Sequence, residues 1–241
     1  MANFTADPET SALDLFNSST TRDHNLGARV TTSDGRVFRY ARAGGSALVA
    51  GNVLQAPAQV TTHQVMTPAA AAIGATQVTV TLGATNAVTE NFYAGGYLII
   101  DTTPGNGYAY LISSHPAAAA SATCVVTLSE PLKVALTTSS RCSFQVNPYN
   151  GVIQAPGTTL TGAVVGVAVT PAAASEYCWI QTEGVAPVLI SGTPGVGLAV
   201  SVPSGTAGAA LVDDGIISAR VIGAIMVTGQ SGKNQAVLLK I

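Results

Sequence analysis

Alternation of apolar and polar positions dominates the chain, and it is densest over residues 161–192, TGAVVGVAVTPAAASEYCWIQTEGVAPVLISG. Residues 162–170 are small and β-branched, and Pro171-Ala172-Ala173-Ala174-Ser175 breaks that run. Residues 176–182 then alternate, with Tyr177, Trp179 and Gln181 on one face and Cys178, Ile180 and Thr182 on the other. Glu183-Gly184 reads as a turn and residues 185–190 as the returning strand. A period of two with such punctuation predicts antiparallel sheet. Trp179 is the only tryptophan. Among so many Ala, Val, Thr and Gly residues it is the expected core anchor, with Tyr177 beside it, because large aromatics bury the most apolar area.

The same period recurs upstream. Strands are expected at residues 77–82, 97–101, 107–112, 123–128 and 142–146, with a hairpin loop at 102–106. Ala117-Ala118-Ala119-Ala120 follows Pro116 between serines and reads as a loop. Asn147-Pro148-Tyr149-Asn150-Gly151 is a cluster of turn residues and marks a boundary. Beyond it, residues 198–202 form a strand, 203–208 a loop, and Asp213-Asp214-Gly215 a turn. A last hairpin pairs residues 221–227 with 236–241 across 228–235. That loop contains Gly-x-x-Gly-Lys, but a phosphate-binding loop needs four residues between its glycines, Ser or Thr after the lysine, and a following helix.

Residues 1–45 differ from the rest. They hold Arg22, Arg29, Arg36, Arg39 and Arg42, half of the ten basic residues, with Asp7, Glu9, Asp14, Asp23 and Asp34 among them. Aliphatic content is low, which predicts an extended arm unable to bury a core by itself. Asp7 and Pro8 could start a short helix over residues 8–16. Ser33-Asp34-Gly35 between alternating runs predicts a hairpin. Arg29, Arg36, Phe38, Arg39 and Arg42 are the candidate interface residues, because a planar guanidinium suits fixed contacts with another subunit. The expected organisation is therefore all-β: an arm with a hairpin over 1–45, a central β domain over 46–148 and a barrel-like domain over 149–241. The latter two would be antiparallel barrels or sandwiches.

Composition narrows the function classes. Charged residues are 9% of the chain and aromatics 5%, against about 25% charged in ordinary soluble domains. Such a surface offers little electrostatic protection against association, and suggests a protein packed against neighbours. A net charge of −2 gives no basic footprint for nucleic acid. No apolar run is long enough for a membrane helix. The opening MANFTADPET lacks the pattern of a secretory signal, so synthesis in a cytoplasm is expected. Cys124, Cys142 and Cys178 are an odd number without a Cys-x-x-Cys motif. Free buried thiols are expected, although Cys124 and Cys142 could lie on neighbouring strands.

No residue pattern asks for catalysis. The histidines are His24, His63 and His115, none in a nucleophile-base motif. His63 reads as an isolated surface residue and not a metal ligand. Tyr93, Tyr97, Tyr108, Tyr110 and His115, with Asp101 nearby, form the one group resembling a sugar-stacking surface, although core or interface packing is the commoner use of such tyrosines. Asp101, Glu130, Glu176 and Glu183 are too scattered to be a glycosidase pair. No catalytic residue, metal or cofactor is expected.

GVAV, an Ala-rich turn, EYCWIQTEGVAPVLISG, a Gly-rich loop and VIGAIMVTGQSGKNQAVLLKI, taken in that order, resemble decoration (cement) proteins of tailed-phage capsids and related β-barrel head-accessory proteins. DGRVFRYARAGGSALVAGNVLQ and NPYNGVIQAP fit the same pattern. The likeness covers the C-terminal third best, ALVAGNVLQ moderately and residues 60–145 weakly. It implies a structural virion protein on the capsid exterior, made in the host cytoplasm, that binds the expanded major-capsid lattice and resists internal DNA pressure. Its partners would be the major capsid protein and itself, as a homotrimer or, second, a dimer. Nucleic acid and membrane are not expected partners. The alternatives are a virion appendage binding host glycan and a secreted polysaccharide-active enzyme.

Overall fold

The computed structural model describes residues 14–213, 220–228 and 230–241. Among these, strands make up nearly all the regular structure, with 3-10 turns at Asp14–Phe16 and Thr61–His63. In chain order the strands are β1 (Ser18–Ser19), β2 (Arg29–Thr31), β3 (Val37–Ala43) and β4 (Val53–Gln55). There follow β5 (Gln77–Thr81), β6 (Tyr97–Thr102), β7 (Ala109–Ser114), β8 (Thr123–Leu128) and β9 (Arg141–Gln145). The remainder are β10 (Asn150–Gln154), β11 (Val164–Ala168), β12 (Tyr177–Ile190), β13 (Ala199–Val202), β14 (Leu211–Val212), β15 (Arg220–Ile225) and β16 (Lys233–Lys240). The protein is all-β, as the alternation predicts.

The chain divides into two compact units, Met1–Ala58 with Pro148–Ile241, and Gln59–Asn147. The second is inserted into the first. The expected boundary near residue 148 coincides with one edge of the insertion, but the expected one at 45/46 does not. Residues 46–58 belong with the C-terminal strands because β4 pairs with both β10 and β11.

The inserted unit is a sheet in the order β5-β8-β7-β6-β9. Residues 66–68 close it into a barrel: Met66 pairs with Cys142 on β9, and Pro68 with Val80 on β5. Alternate residues of every strand point inward, giving a core that includes Val80, Leu98, Ile112, Val126 and Phe144. The Ala117–Ala120 stretch is a loop, as expected.

The first unit is built along β12. Its first half pairs with β3 on one side and β11 on the other. The path β12-β11-β4-β10-β3 returns to β12 and closes a ring. Ala41, Leu54, Val152, Ala168 and Ile180 fill this ring. The second half of β12 pairs with β16 from Glu183 opposite Lys240 to Ile190 opposite Lys233. β15, β13 and β14 follow, and a parallel bridge from Ala210 to Ile190 brings that edge back to β12. The second core includes Val188, Val200, Ile222 and Val237, together with Val53 and Val167 from the first ring.

Two expectations need correction here. Glu183-Gly184 is not a turn, because β12 runs unbroken for 14 residues. Gly184 has φ +86°, and the register with β3 slips between Gln181 and Glu183. This is a bulge: Glu183 pairs with Val37 of β3 on one edge and with Lys240 of β16 on the other, the edge that β11 occupies up to Gln181. A positive-φ glycine serves a bulge and a turn equally well, so the dipeptide alone does not separate them. A Cβ on Gly184 would also lie 3.0 Å from Arg36 Cα. Gly184→Ala is therefore expected to cost about 1–3 kcal/mol, read as a lower urea midpoint; an unchanged midpoint would contradict the bulge.

Nor are residues 14–45 an extended arm. β3 is a central strand with Val37, Phe38, Tyr40, Ala41 and Ala43 buried, and Leu15 is buried as well. The β2–β3 hairpin is present, with Val30 opposite Phe38. The polar composition hid this because arginines occupy half-buried positions, where their stems cover apolar surface while the charged heads reach polar partners. Residues 1–13, with most of the expected 8–16 helix, lie outside the described residues; Asp14–Phe16 is a 3-10 turn.

Candidate functional site

Phe38, Tyr40 and Arg42 alternate on β3 and face one way. The register sets Trp179 opposite Tyr40, and Tyr177 opposite Arg42, on the same face. Leu15, Phe38, Tyr40 and Trp179 thus form a separate aromatic core outside the first ring, packed by Leu26, Ala28 and Val30. Trp179 is 2% exposed, in keeping with its expected anchor role. Tyr177 is only partly buried and forms the outer end of the ladder, its ring stacked on Tyr40 at 6.0 Å.

The candidate interface residues are placed as follows. Phe38 is fully buried in this core and presents nothing to a partner. Arg36 donates from Nε to Asp34 at 2.7 Å, and its guanidinium lies over the Phe38 ring. Thr32 and Arg36 hydrogen bonds hold the exposed Asp34 carboxyl below its ordinary range, Thr32 contributing most. Arg39 donates from Nη1 to Gly27 O at 2.9 Å and lies over Tyr149. Arg42 donates from Nε to Ser175 O at 3.3 Å and lies over Tyr177. Arg29 is exposed on β2, opposite Arg39. Arg36, Arg39 and Arg42 therefore fix the hairpin and the loop before β12 within their own unit.

A cleft of about 280 Å³ opens at the end of the aromatic ladder. Tyr40, Tyr177 and Trp179 form its floor. His24 forms a wall, with ring centroids 5.0 Å from Tyr40 and 5.2 Å from Trp179. Asn17, Ser18, Ser19 and Asp23 form the rim. The rim is held in two ways: Asp23 N–H donates to the Tyr40 hydroxyl at 3.1 Å, and Ser18 Oγ donates to Glu176 at 2.8 Å. Glu176 also accepts from Ala173 N–H at 2.8 Å; this bond, with the Ser18 one, holds its carboxyl below the usual range. Sequence reading missed this site. Its rim lies before β2 and its floor on β3 and β12, and only the pairing of those two distant strands brings the lining together.

The tyrosine group expected to resemble a sugar surface is divided. Tyr93, Tyr110 and His115 are buried in the inserted barrel, whereas Tyr97 and Tyr108 are exposed. His63 is 1% exposed and not a surface residue. Its Nε2–H donates to Asn86 O at 3.0 Å and its Nδ1 lies 2.7 Å from the Tyr93 hydroxyl. Tyr93 N–H donates to His115 Nε2 at 2.9 Å, and His115 Nδ1–H donates to Pro116 O at 2.8 Å. Both rings thus tie loops to the barrel, a role that flanking Thr and Gln conceal in the case of His63. Asp101 accepts from Ser143 Oγ at 2.7 Å. Among the described residues, no group of three or more His, Cys, Asp and Glu side chains is placed to hold a metal. Of the Asp213-Asp214-Gly215 turn, Asp214 and Gly215 lie outside the described residues.

The three cysteines are buried free thiols. Burial pushes Cys142 and Cys178 up to about 12 from 9.0. Each ionises more readily in the unfolded chain, so the stabilisation from keeping them neutral is complete below about pH 9 and is lost as pH rises towards about 12. The melting temperature is expected to fall across that alkaline window. Cys142→Ala and Cys178→Ala, compared each with itself across pH, should show a shallower fall; an identical slope would contradict the assignment.

A second surface stands out on the first unit. Val185 on β12 is opposite Leu238 on β16, which is opposite Ala224 on β15. Pro187 is opposite Ala236, which accepts from Met226 N–H at 2.9 Å. Val185 is 46% exposed and Leu238 50%. This outer wall carries no charge between the Glu183–Lys240 pair and Lys233. No family model, curated protein or solved structure matches the chain.

Proposed function

We propose that the protein is a capsid decoration (cement) protein of a tailed phage. It docks on the outside of the expanded shell, across junctions between major-capsid subunits, and its action is mechanical. Burying apolar strand surface across a junction ties the neighbours together against internal pressure. The sequence resemblance supplies the biological setting. The observation that carries the reading into the fold is the uncharged wall around Val185 and Leu238. Contiguous exposed apolar surface marks an interaction site, and one without charges can be buried without the cost of desolvating an ion. The arginines of the β2–β3 hairpin support docking indirectly, by holding their own unit rigid. A trimer suits attachment at local three-fold positions of a shell.

Quantitative mass spectrometry of purified particles tests this reading. The expected result is a copy number per head fixed by the number of lattice positions. Absence from purified heads, or a few copies per particle, would overturn it.

A further inference from the structure

We propose that the cleft over Tyr40, Tyr177 and Trp179 binds a single uncharged saccharide ring. This goes beyond shell docking and rests on different residues. The volume, about 280 Å³, lies at the lower limit of small-ligand pockets, which run from about 300 to 1,000 Å³. That size suits one ring. The floor is aromatic: Tyr40 stacks on Tyr177 and Arg42 lies over its ring, and the part of Tyr177 left exposed is what the apolar face of a sugar would touch. The rim supplies a carboxylate from Asp23, an amide from Asn17 and a hydroxyl from Ser19, groups that between them accept from and donate to sugar hydroxyls.

Charge decides against the other ligand classes. The Arg42 guanidinium lies 5.9 Å from the Tyr177 ring centroid, so that ring already carries a cation and a second one beside it is opposed. Asp23 on the rim and Glu176, bonded to the rim residue Ser18, answer that positive charge and leave no excess cation for an anion to pair with. A neutral, hydroxyl-rich ring meets neither objection. The rim is also braced before any ligand arrives, through the Asp23–Tyr40 and Ser18–Glu176 hydrogen bonds, and such preorganisation lowers the entropic cost of binding.

Trp179 makes the test direct, because it is the only tryptophan and it lines the cleft. The full chain would be titrated with glucose, galactose, N-acetylglucosamine and N-acetylgalactosamine, and with choline and inorganic phosphate as charged probes, while Trp179 emission is followed. The expected result is a saturable change with at least one sugar and none with choline or phosphate. Asp23→Ala and Asn17→Ala should each weaken that sugar by roughly tenfold or more. Both residues are exposed, so the variants should melt as the parent does. No saturable response to any sugar, a response to choline or phosphate instead, or unchanged affinity in both variants would overturn the proposal. Particle association is measured separately, so failure here leaves the shell-docking reading standing, and the converse.

Discussion

Trp179→Ala is expected to lower the unfolding free energy by about 3–5 kcal/mol, the usual cost of truncating a fully buried large aromatic side chain. Trp179 is the largest fully buried side chain. It touches Tyr40 across β3 and His24 from the segment before β2, with ring centroids 5.1 and 5.2 Å away. Truncation would leave a void between the first ring and residues 15–30, with Phe38, Tyr40 and Leu15 lining it. Urea unfolding of the parent and the variant measures the loss. Native emission should be blue-shifted and poorly quenched by iodide. Free quenching with an unchanged midpoint would mean that Trp179 is not in a core.

Val185→Asp combined with Leu238→Asp is expected to abolish attachment to the shell while leaving the fold intact. The two side chains are cross-strand neighbours at the centre of the outer wall. Both point to solvent in the isolated protein, so carboxylates there are hydrated and the melting temperature should barely move. Docking would bury them without partners, and desolvating an unpaired charge costs several kcal/mol, a loss of about a hundredfold or more in affinity. Arg36→Gln with Arg39→Gln should behave in the opposite way. Those side chains serve Asp34 and Gly27 O within their own unit, so stability should fall slightly and co-sedimentation with undecorated, expanded capsids should persist. Loss of binding in the arginine variant and full binding in the aspartate variant would return the interface to the hairpin.

Much of the fold was legible because period-two patterning survives in most strands of the inserted barrel. Gln77–Thr81 and Thr123–Leu128 have the expected alternation of buried and exposed residues. Residues 176–182 divide as expected too, with Trp179 facing one core and Cys178 and Ile180 another. What the pattern does not carry is partnership. Nothing local tells β12 to run on past Gly184 with β16 taking the edge that β11 leaves, because that depends on which strands arrive beside it. Nothing local places β3 inside the sheet, because Arg39 and Arg42 sit at positions whose stems are covered and whose heads are satisfied by loop carbonyls. The cleft was illegible for the same reason: its floor pairs β3 with β12, strands more than 130 residues apart. His63 looked like a surface residue because its partners are a backbone carbonyl, Asn86 O, and one tyrosine distant in sequence, Tyr93.

The most direct measurement of the central claim is a cryo-EM map of the intact head, detailed enough to trace strands. The account predicts this protein on the outer surface of the expanded shell, three copies around each occupied junction. The wall formed by Val185, Pro187, Ala236 and Leu238 should be pressed against the major capsid protein, with the Tyr177 cleft open to solvent. A head with no density for this chain, or with that wall facing solvent and the β2–β3 hairpin gripping the shell, would contradict it.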